Sequence, residues 1–135
     1  MKKFIGLTAV VTSIAMASPA YSSGLLDEYA NQARQENASF NGFSTERGKA
    51  LYLTNHATGK AETPACTSCH TNSPTQSGLT RAGKNIAPLA VSVSPDRYTD
   101  KRKVEKWFRR NCNSVLGRAC SATEKGDFIT FMLTQ

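Results

Sequence analysis

Apolar residues recur at helical spacing in four stretches of the chain, and the sequence between them is polar and rich in turn formers. Leu25, Leu26, Tyr29 and Ala33 share one face of a helix predicted over 25–36. A polar connection, 37–43, leads to a second helix that opens at Ser44, a good N-cap with Glu46 in the first turn. It runs through Gly48, Leu51 and Tyr52 to about Asn55. A third helix starts near Thr99 or Asp100 and is predicted to reach about Asn111. The fourth begins at Ser121, where Ser-Ala-Thr-Glu forms a capping box, and ends the chain. Residues 74–95 carry Ser, Thr, Gly and Pro without either periodicity and read as loops, held by Leu79, Ile86, Leu89 and Val91. No segment reads convincingly as a strand. The expected fold is all-α, about four helices and their loops in one small domain.

The first residues read differently from the rest. Met1-Lys2-Lys3 is a positive start, Phe4 to Met16 an apolar run, and Ala15-Met16-Ala17 and Ser18-Pro19-Ala20 place small residues where a signal peptidase cuts. A signal peptide is expected over 1–22, with cleavage near Ala17 to Ser22, leaving a mature domain over 23–135 exported to a bacterial periplasm. The apolar run is too short for a stable membrane span, and no second stretch approaches spanning length. The mature part, a little over ~100 residues, has room for one thin core. Seventeen basic against 10 acidic side chains give the 135-residue chain a formal charge of +7, and loss of Lys2 and Lys3 leaves 15 against 10. Nucleic acid is not a partner for such a surface in the periplasm. The basic excess points to an acidic protein or to anionic headgroups.

Cys66-Thr67-Ser68-Cys69-His70 brings in specific chemistry. In C-x-x-C-H two thiols add across the vinyl groups of a haem, the two-residue spacer lets them span the ring, and the adjacent imidazole binds the iron from one side. A redox Cys pair or half of a zinc site would use the same spacing. The chain has no second C-x-x-C and no H-x₃₋₅-H to complete tetrahedral zinc. One covalent haem c is therefore expected, held by Cys66 and Cys69 with His70 on its iron. Its apolar plate would add buried surface that so small a domain lacks.

Candidates for the opposite face of the iron come from three places. Met132, on the terminal helix at i+4 from Phe128, reads first as a core residue. His56, in a Thr-Asn-His-Ala-Thr-Gly turn, reads as a solvated loop histidine. On the third helix Val104, Trp107, Phe108 and Asn111 lie at i, i+3, i+4 and i+7, so an amide ends an apolar stripe. Asn111 suits a helix C-cap, a hydrogen bond to a loop, or a bond from its side-chain oxygen to iron. Cys112 and Cys120 remain after haem attachment, and in an oxidising compartment two leftover thiols eight positions apart pair, for about 2 kcal/mol of stability. That bridge would begin at the residue after Asn111.

Four segments together resemble the sphaeroides haem protein family: Thr-Pro-Ala-Cys-Thr-Ser-Cys-His (63–70), Thr-Arg-Ala-Gly-Lys-Asn-Ile-Ala-Pro-Leu-Ala (80–90), Pro-Asp-Arg-Tyr-Thr-Asp (95–100) and Val-Glu-Lys-Trp-Phe-Arg-Arg-Asn-Cys-Asn-Ser-Val-Leu-Gly-Arg-Ala-Cys (104–120). The resemblance runs from about Ser44 to the C-terminus. It implies a class I cytochrome c fold and a distal asparagine that leaves when the iron is reduced, so that ferrous haem binds dioxygen, nitric oxide or similar small ligands. The family asparagine precedes the first bridge cysteine and falls on Asn111, with Asn113 the competing position. On this reading Trp107 and Phe108, with Leu116, shape the distal pocket. Arg81 and Lys84 face the propionates, and a carbonyl near Pro88 accepts the Nδ1 proton of His70. Ala87-Pro88-Leu89 departs from the more usual Gly-Pro-x-Leu. The family is associated with a dihaem cytochrome c and a membrane cytochrome b as electron donors. Arg97, Lys101, Arg102, Lys103, Lys106, Arg109 and Arg110 would form their docking patch, unless the run is only the solvated face of a helix.

Three functions remain open on these residues. The first is a redox module that takes an electron and reversibly binds a diatomic ligand. The second is an enzyme that oxidises nitric oxide or reduces dioxygen or peroxide. The third is a plain electron carrier with Met132 as sixth ligand. No distal His or Arg is evident as a proton donor, which argues against efficient peroxidase chemistry.

Overall fold

The computed structural model describes residues 20–135, so the expected signal peptide falls outside the described residues but for its last three positions. The elements are α1 (Ala20–Glu36), α2 (Thr45–Leu53), a 3-10 turn (Cys66–Ser68), β1 (Gly78–Leu79), β2 (Asn85–Ile86), α3 (Lys101–Val115) and α4 (Ala122–Leu133). Each sequence-predicted start of α2, α3 and α4 is made by its cap. Ser44 Oγ accepts from Arg47 N and Asp100 Oδ1 from Lys103 N. Ser121 and Glu124 exchange the two bonds of a capping box, at 3.1 and 2.8 Å.

Two expectations are corrected. A short antiparallel pair exists, Gly78 opposite Ile86 and Leu79 opposite Asn85, closed by a turn in which Gly83 takes φ +73. α3 does not stop at Asn111 but continues for another turn, to Val115. Asn111 is therefore no C-cap; Leu116 fills that position, its N–H bonded to the Cys112 carbonyl.

α4 packs against both α1 and α2, and Tyr29, Tyr52, Ile129 and Met132 are the large side chains fully buried in the core. Phe108 joins them edge-on to Tyr29 and Phe128, with ring centroids 6.3 and 5.6 Å apart. The α2–α4 contact is very close at Gly48, where a Cβ would lie 2.0 Å from the Asp127 carbonyl oxygen. Asp127 is itself buried, and its carboxylate accepts from Ser44 N at 2.7 Å and from Arg47 Nε and Nη2 at 2.7 and 2.8 Å. A buried charge is tolerated here because both oxygens are paired. The same bonds tie the start of α2 to the middle of α4.

α3 is fixed to this core by a second polar group. The Tyr29 hydroxyl donates to Glu105 Oε1 at 2.5 Å, and Lys125 Nζ bonds both Glu105 oxygens at 3.1 and 2.8 Å. Burial pushes the Glu105 carboxyl up, but the Lys125 and Tyr29 hydrogen bonds outweigh it and hold the group below the ordinary value. Glu124 is held low mainly by its hydrogen bonds with Arg118. Carboxyls depressed in the folded state stabilise it fully above their unfolded value, and lose that contribution as pH falls through the folded values. The melting temperature of the holoprotein should thus be flat near neutrality and fall below about pH 4.5, the ordinary carboxyl value. A melt unchanged down to about pH 3 would show that these pairs contribute nothing.

Candidate functional site

The Cys-x-x-Cys-His segment folds into one tight turn. Cys69 N and His70 N both donate to the Cys66 carbonyl, at 3.3 and 3.0 Å, and Ser68 Oγ accepts from Ala65 N at 3.2 Å. Cys66 opens the 3-10 turn and Cys69 directly follows it; both are free thiols and both are partly buried. Burial raises the Cys66 thiol to about 11, so it is held protonated. Burial, and then the positive charge of Arg97, lowers His70 to about 4, so its imidazole is neutral with a lone pair free for a metal. β1 backs the turn. Leu79 N donates to the Cys69 carbonyl at 2.8 Å, and a Cβ at Gly78 would lie 2.2 Å from that oxygen. Only glycine allows so close an approach.

The residues before the turn connect it to the end of α3. His56 is not a solvated loop residue, as its surroundings in sequence suggested; its Nε2 lies 2.9 Å from the Leu51 carbonyl and its N–H donates to the Pro64 carbonyl at 2.6 Å. Lys60 N donates to the Ser114 carbonyl at 2.7 Å, and Thr63 Oγ1 lies 2.7 Å from Ser114 Oγ. Gly117, at φ +69, packs on the Thr58 carbonyl. The loop that delivers Cys66 is thus bonded to α3 one turn beyond Asn111.

On α3 the buried seam is Val104, Phe108, Cys112 and Val115. The proposed apolar stripe therefore splits. Trp107 is 44% exposed and Asn111 is exposed one turn further on, while Phe108 faces the core. Asn111 and Asn113 both point away from the core and neither is a buried amide needing a partner. Lys106 and Arg110 flank Trp107, at 5.8 and 5.2 Å from the ring centre. Cys112 is bonded to Cys120, with Cα atoms 5.5 Å apart, and this joins the last turn of α3 to the approach to α4.

The remaining predicted site residues fall as follows. Leu89 is buried, but Leu79, expected to hold the loops, is 59% exposed. Arg81 and Lys84 are exposed in the turn between β1 and β2. Leu116 is buried at the end of α3, and Met132 is buried in the core. In the stretch expected to supply an acceptor for His70, the Pro88 carbonyl accepts from Arg97 Nε at 3.0 Å, and the Ala87 carbonyl accepts from Arg97 Nη2 at 2.5 Å. Arg97 is accordingly not part of a solvated cationic face. Lys101 is also engaged, with Glu28 at 2.5 Å, which leaves Arg102, Lys103, Lys106, Arg109 and Arg110 as the exposed cations of the helix. The Arg97 contacts link residues ten apart through backbone carbonyls and have no signal in the sequence.

These residues fit a covalently held haem. Two free thiols and a neutral imidazole converge in one turn, and large apolar side chains, Leu79 beside the turn and Trp107 on α3, stand exposed. A cavity of about 440 Å³ elsewhere, between α2 and α4, is lined by the Arg47–Asp127 and Arg118–Glu124 pairs and includes none of the predicted site residues.

Comparison with known proteins agrees with that chemistry. A domain of unknown function, DUF1924, matches residues 38–132. The cytochrome c-type protein SHP of Cereibacter sphaeroides is 44% identical over 135 residues, covering the whole of both chains. Cytochrome c'' of Methylophilus methylotrophus is 36% identical over 137 residues, covering all of this chain and 95% of its own. The structure of oxidized SHP, described as an oxygen-binding cytochrome c, superposes with a TM-score of 0.78 at 45% identity, over 84% of this chain and 96% of that one. The solution structure of cytochrome c'', described in connection with haem-ligand detachment, gives 0.72 at 37% identity, over 84% and 93%. With a family match across most of its described length and a relative this similar from end to end, the chain belongs to the DUF1924 family and to the SHP, or sphaeroides haem protein, family of c-type cytochromes.

Proposed function

We propose that this chain is a periplasmic monohaem cytochrome c that takes part in electron transfer and opens a coordination position for a small diatomic ligand when reduced. The observation that carries the proposal is the turn at Cys66–His70, which presents two free thiols and a neutral imidazole together. Haem c, when bound, supplies a one-electron iron centre with one face available to an exchangeable ligand. The chain's own residues do the rest. Cys66 and Cys69 would anchor the ring and His70 would bind the iron. Asn111 would supply a second ligand, a weak, hard amide oxygen that suits ferric iron better than the softer ferrous ion. Its place outside the buried seam of α3 keeps the side chain out of the helix-packing core. The oxygen binding named for SHP and the ligand detachment named for cytochrome c'' support the same reading.

Trp107 covers the distal side beside Asn111, and the released amide offers an N–H to a bound ligand. The exposed cations Arg102, Lys103, Lys106, Arg109 and Arg110 form the docking face for acidic electron donors, in this family a dihaem cytochrome c and a membrane cytochrome b. A signal peptide over 1–22 carries the chain to that compartment. Among the described residues no helix is long and apolar enough to cross a membrane.

Two double variants test the division of the four cysteines. Cys66→Ser with Cys69→Ser should yield protein without covalent haem in a pyridine haemochrome assay. Cys112→Ser with Cys120→Ser should keep one haem per chain, lose about 2 kcal/mol of stability, and show a weaker ferric distal bond. Loss of haem attachment in the second variant would mean that the pairs are misassigned.

A further inference from the structure

The last turn of α3 and the loop that delivers Cys66 are fitted to one another. Lys60 N donates to the Ser114 carbonyl at 2.7 Å, and Thr63 Oγ1 lies 2.7 Å from Ser114 Oγ and 3.3 Å from that same carbonyl oxygen. Glycines bring the two backbones together. A Cβ at Gly59 would stand 2.3 Å from the Ser114 carbonyl oxygen and 2.4 Å from that of Val115, and one at Gly117 would stand 2.2 Å from the Thr58 carbonyl oxygen. The loop is also closed on itself, by His56 N on the Pro64 carbonyl at 2.6 Å and by Thr63 N on the Lys60 carbonyl at 3.0 Å. Only Pro64 and Ala65 separate Thr63 from Cys66. On the helix, Trp107, Asn111 and Ser114 recur at i, i+4 and i+7 and so share one face. Asn111 and Ser114 are neighbours along it, with Cβ atoms about 5–6 Å apart. The side chain that joins α3 to the attachment loop is therefore the next one along from the exposed amide.

We infer that Ser114 and Thr63 are positioning residues for Asn111: their paired hydroxyls fix its place on α3 relative to the turn that anchors the haem. The inference rests on Asn111 as the second iron ligand. An asparagine side chain is too short to follow a helix that drifts, and a functional group of this kind must be held to within about 0.5 Å of its productive place. The haem would be set by Cys66 and Cys69, and the helix is set by the loop just upstream of them. A donor tethered at the right distance acts at a high effective concentration, which lets even a weak amide compete for ferric iron with ligands from solution. Breaking the hydroxyl pair lowers that effective concentration and leaves both the iron and the amide chemically unchanged.

The test uses purified holoprotein with two readouts, cyanide affinity of the ferric form and carbon monoxide affinity of the ferrous form. Ser114→Ala and Thr63→Val each remove the hydroxyl pair and spare the bond from Lys60 N. Each should tighten ferric cyanide binding about threefold and leave carbon monoxide binding in place. The two together should gain no more than either alone, because they break one contact. Ser114→Thr keeps a hydroxyl and should bind as the wild type does. In an Asn111→Ala background neither substitution should add anything, since no amide is left to misplace. Ser44→Ala, which loses the N-cap of α2, should melt earlier and keep wild-type cyanide binding. Wild-type cyanide binding in both Ser114→Ala and Thr63→Val would overturn the inference. So would a further gain in the Asn111→Ala background, or an equal gain in Ser44→Ala, which would trace the effect to lost stability. If Ser114→Ala yields no holoprotein, Thr63→Val decides alone. Unchanged ferric binding in Asn111→Ala itself would refute the ligand reading beneath, and is distinguishable from tighter binding in Asn111→Ala with none in the hydroxyl variants.

Discussion

Asn111→Ala should give a folded, haem-bearing protein whose ferric iron is high-spin and binds added imidazole or cyanide about tenfold or more tightly. Its ferrous form should bind carbon monoxide as the wild type does. The asymmetry follows from where the amide acts. In the ferric state an internal ligand competes with any added one, and apparent affinity is reduced by the fraction of sites that are open. A distal bond worth about 1.4 kcal/mol already closes ten sites for each one open. On the proposed reading the amide is already released in the ferrous state, so its removal frees no further sites, and carbon monoxide, a poor hydrogen-bond acceptor, loses little with the amide N–H. Because Asn111 is exposed and outside the buried seam of α3, its loss should cost the fold no more than about 0.5 kcal/mol, as for ordinary surface substitutions. Asn113→Ala is the control, since that residue is also exposed but lies on a different side of the helix. Ferric binding constants for the two variants decide the matter. An unchanged ferric spectrum in Asn111→Ala would remove Asn111 from the iron.

Gly48→Ala should be among the most damaging single-methyl additions, at about 3 kcal/mol, read as a fall in melting temperature of roughly 10 °C or more. The added Cβ would stand 2.0 Å from the Asp127 carbonyl oxygen, 2.6 Å from its carbon and 2.9 Å from Phe131 Cβ. These are backbone and near-backbone atoms of α4, so relief requires the two helices to separate. Separation would also strain the bonds from Ser44 N and Arg47 to the buried Asp127 carboxylate, which carry the cap of α2. Gly24→Ala provides the contrast. Nothing lies within 4 Å of a Cβ there, and next to the start of the mature chain the change should be close to neutral. Equal melting temperatures for the two variants would show that the α2–α4 contact yields.

What the sequence made legible was local. The attachment turn is read from five consecutive residues, and the starts of α2, α3 and α4 from single caps whose bonds span three positions. The pairing of Cys112 with Cys120 needed only elimination and the compartment. What escaped was non-local. α3 runs past Asn111 because its last turn is held from outside, by Cys120 and by the 56–63 loop on Ser114, and neither contact alters the helix periodicity. Trp107 and Phe108 are adjacent in sequence and fit one broad apolar stripe. Only the placement of Tyr29 and Phe128 shows that Phe108 belongs to the core and Trp107 does not. The β1–β2 pair, two residues on each side, is too short to show alternation. His56 and Arg97 were read by the polarity of their neighbours, whereas their partners are carbonyls five to ten residues away, and backbone acceptors leave no mark in composition.

Whether reduction opens the iron is tested most directly by the optical spectrum of the holoprotein. Spectra are taken of the ferric form, of the form reduced with dithionite under argon, and again after carbon monoxide is added. The expected result is a ferrous high-spin spectrum that shifts at once with carbon monoxide. Sharp low-spin ferrous bands that ignore carbon monoxide would contradict it, and would mean a strong sixth ligand and a simple electron carrier.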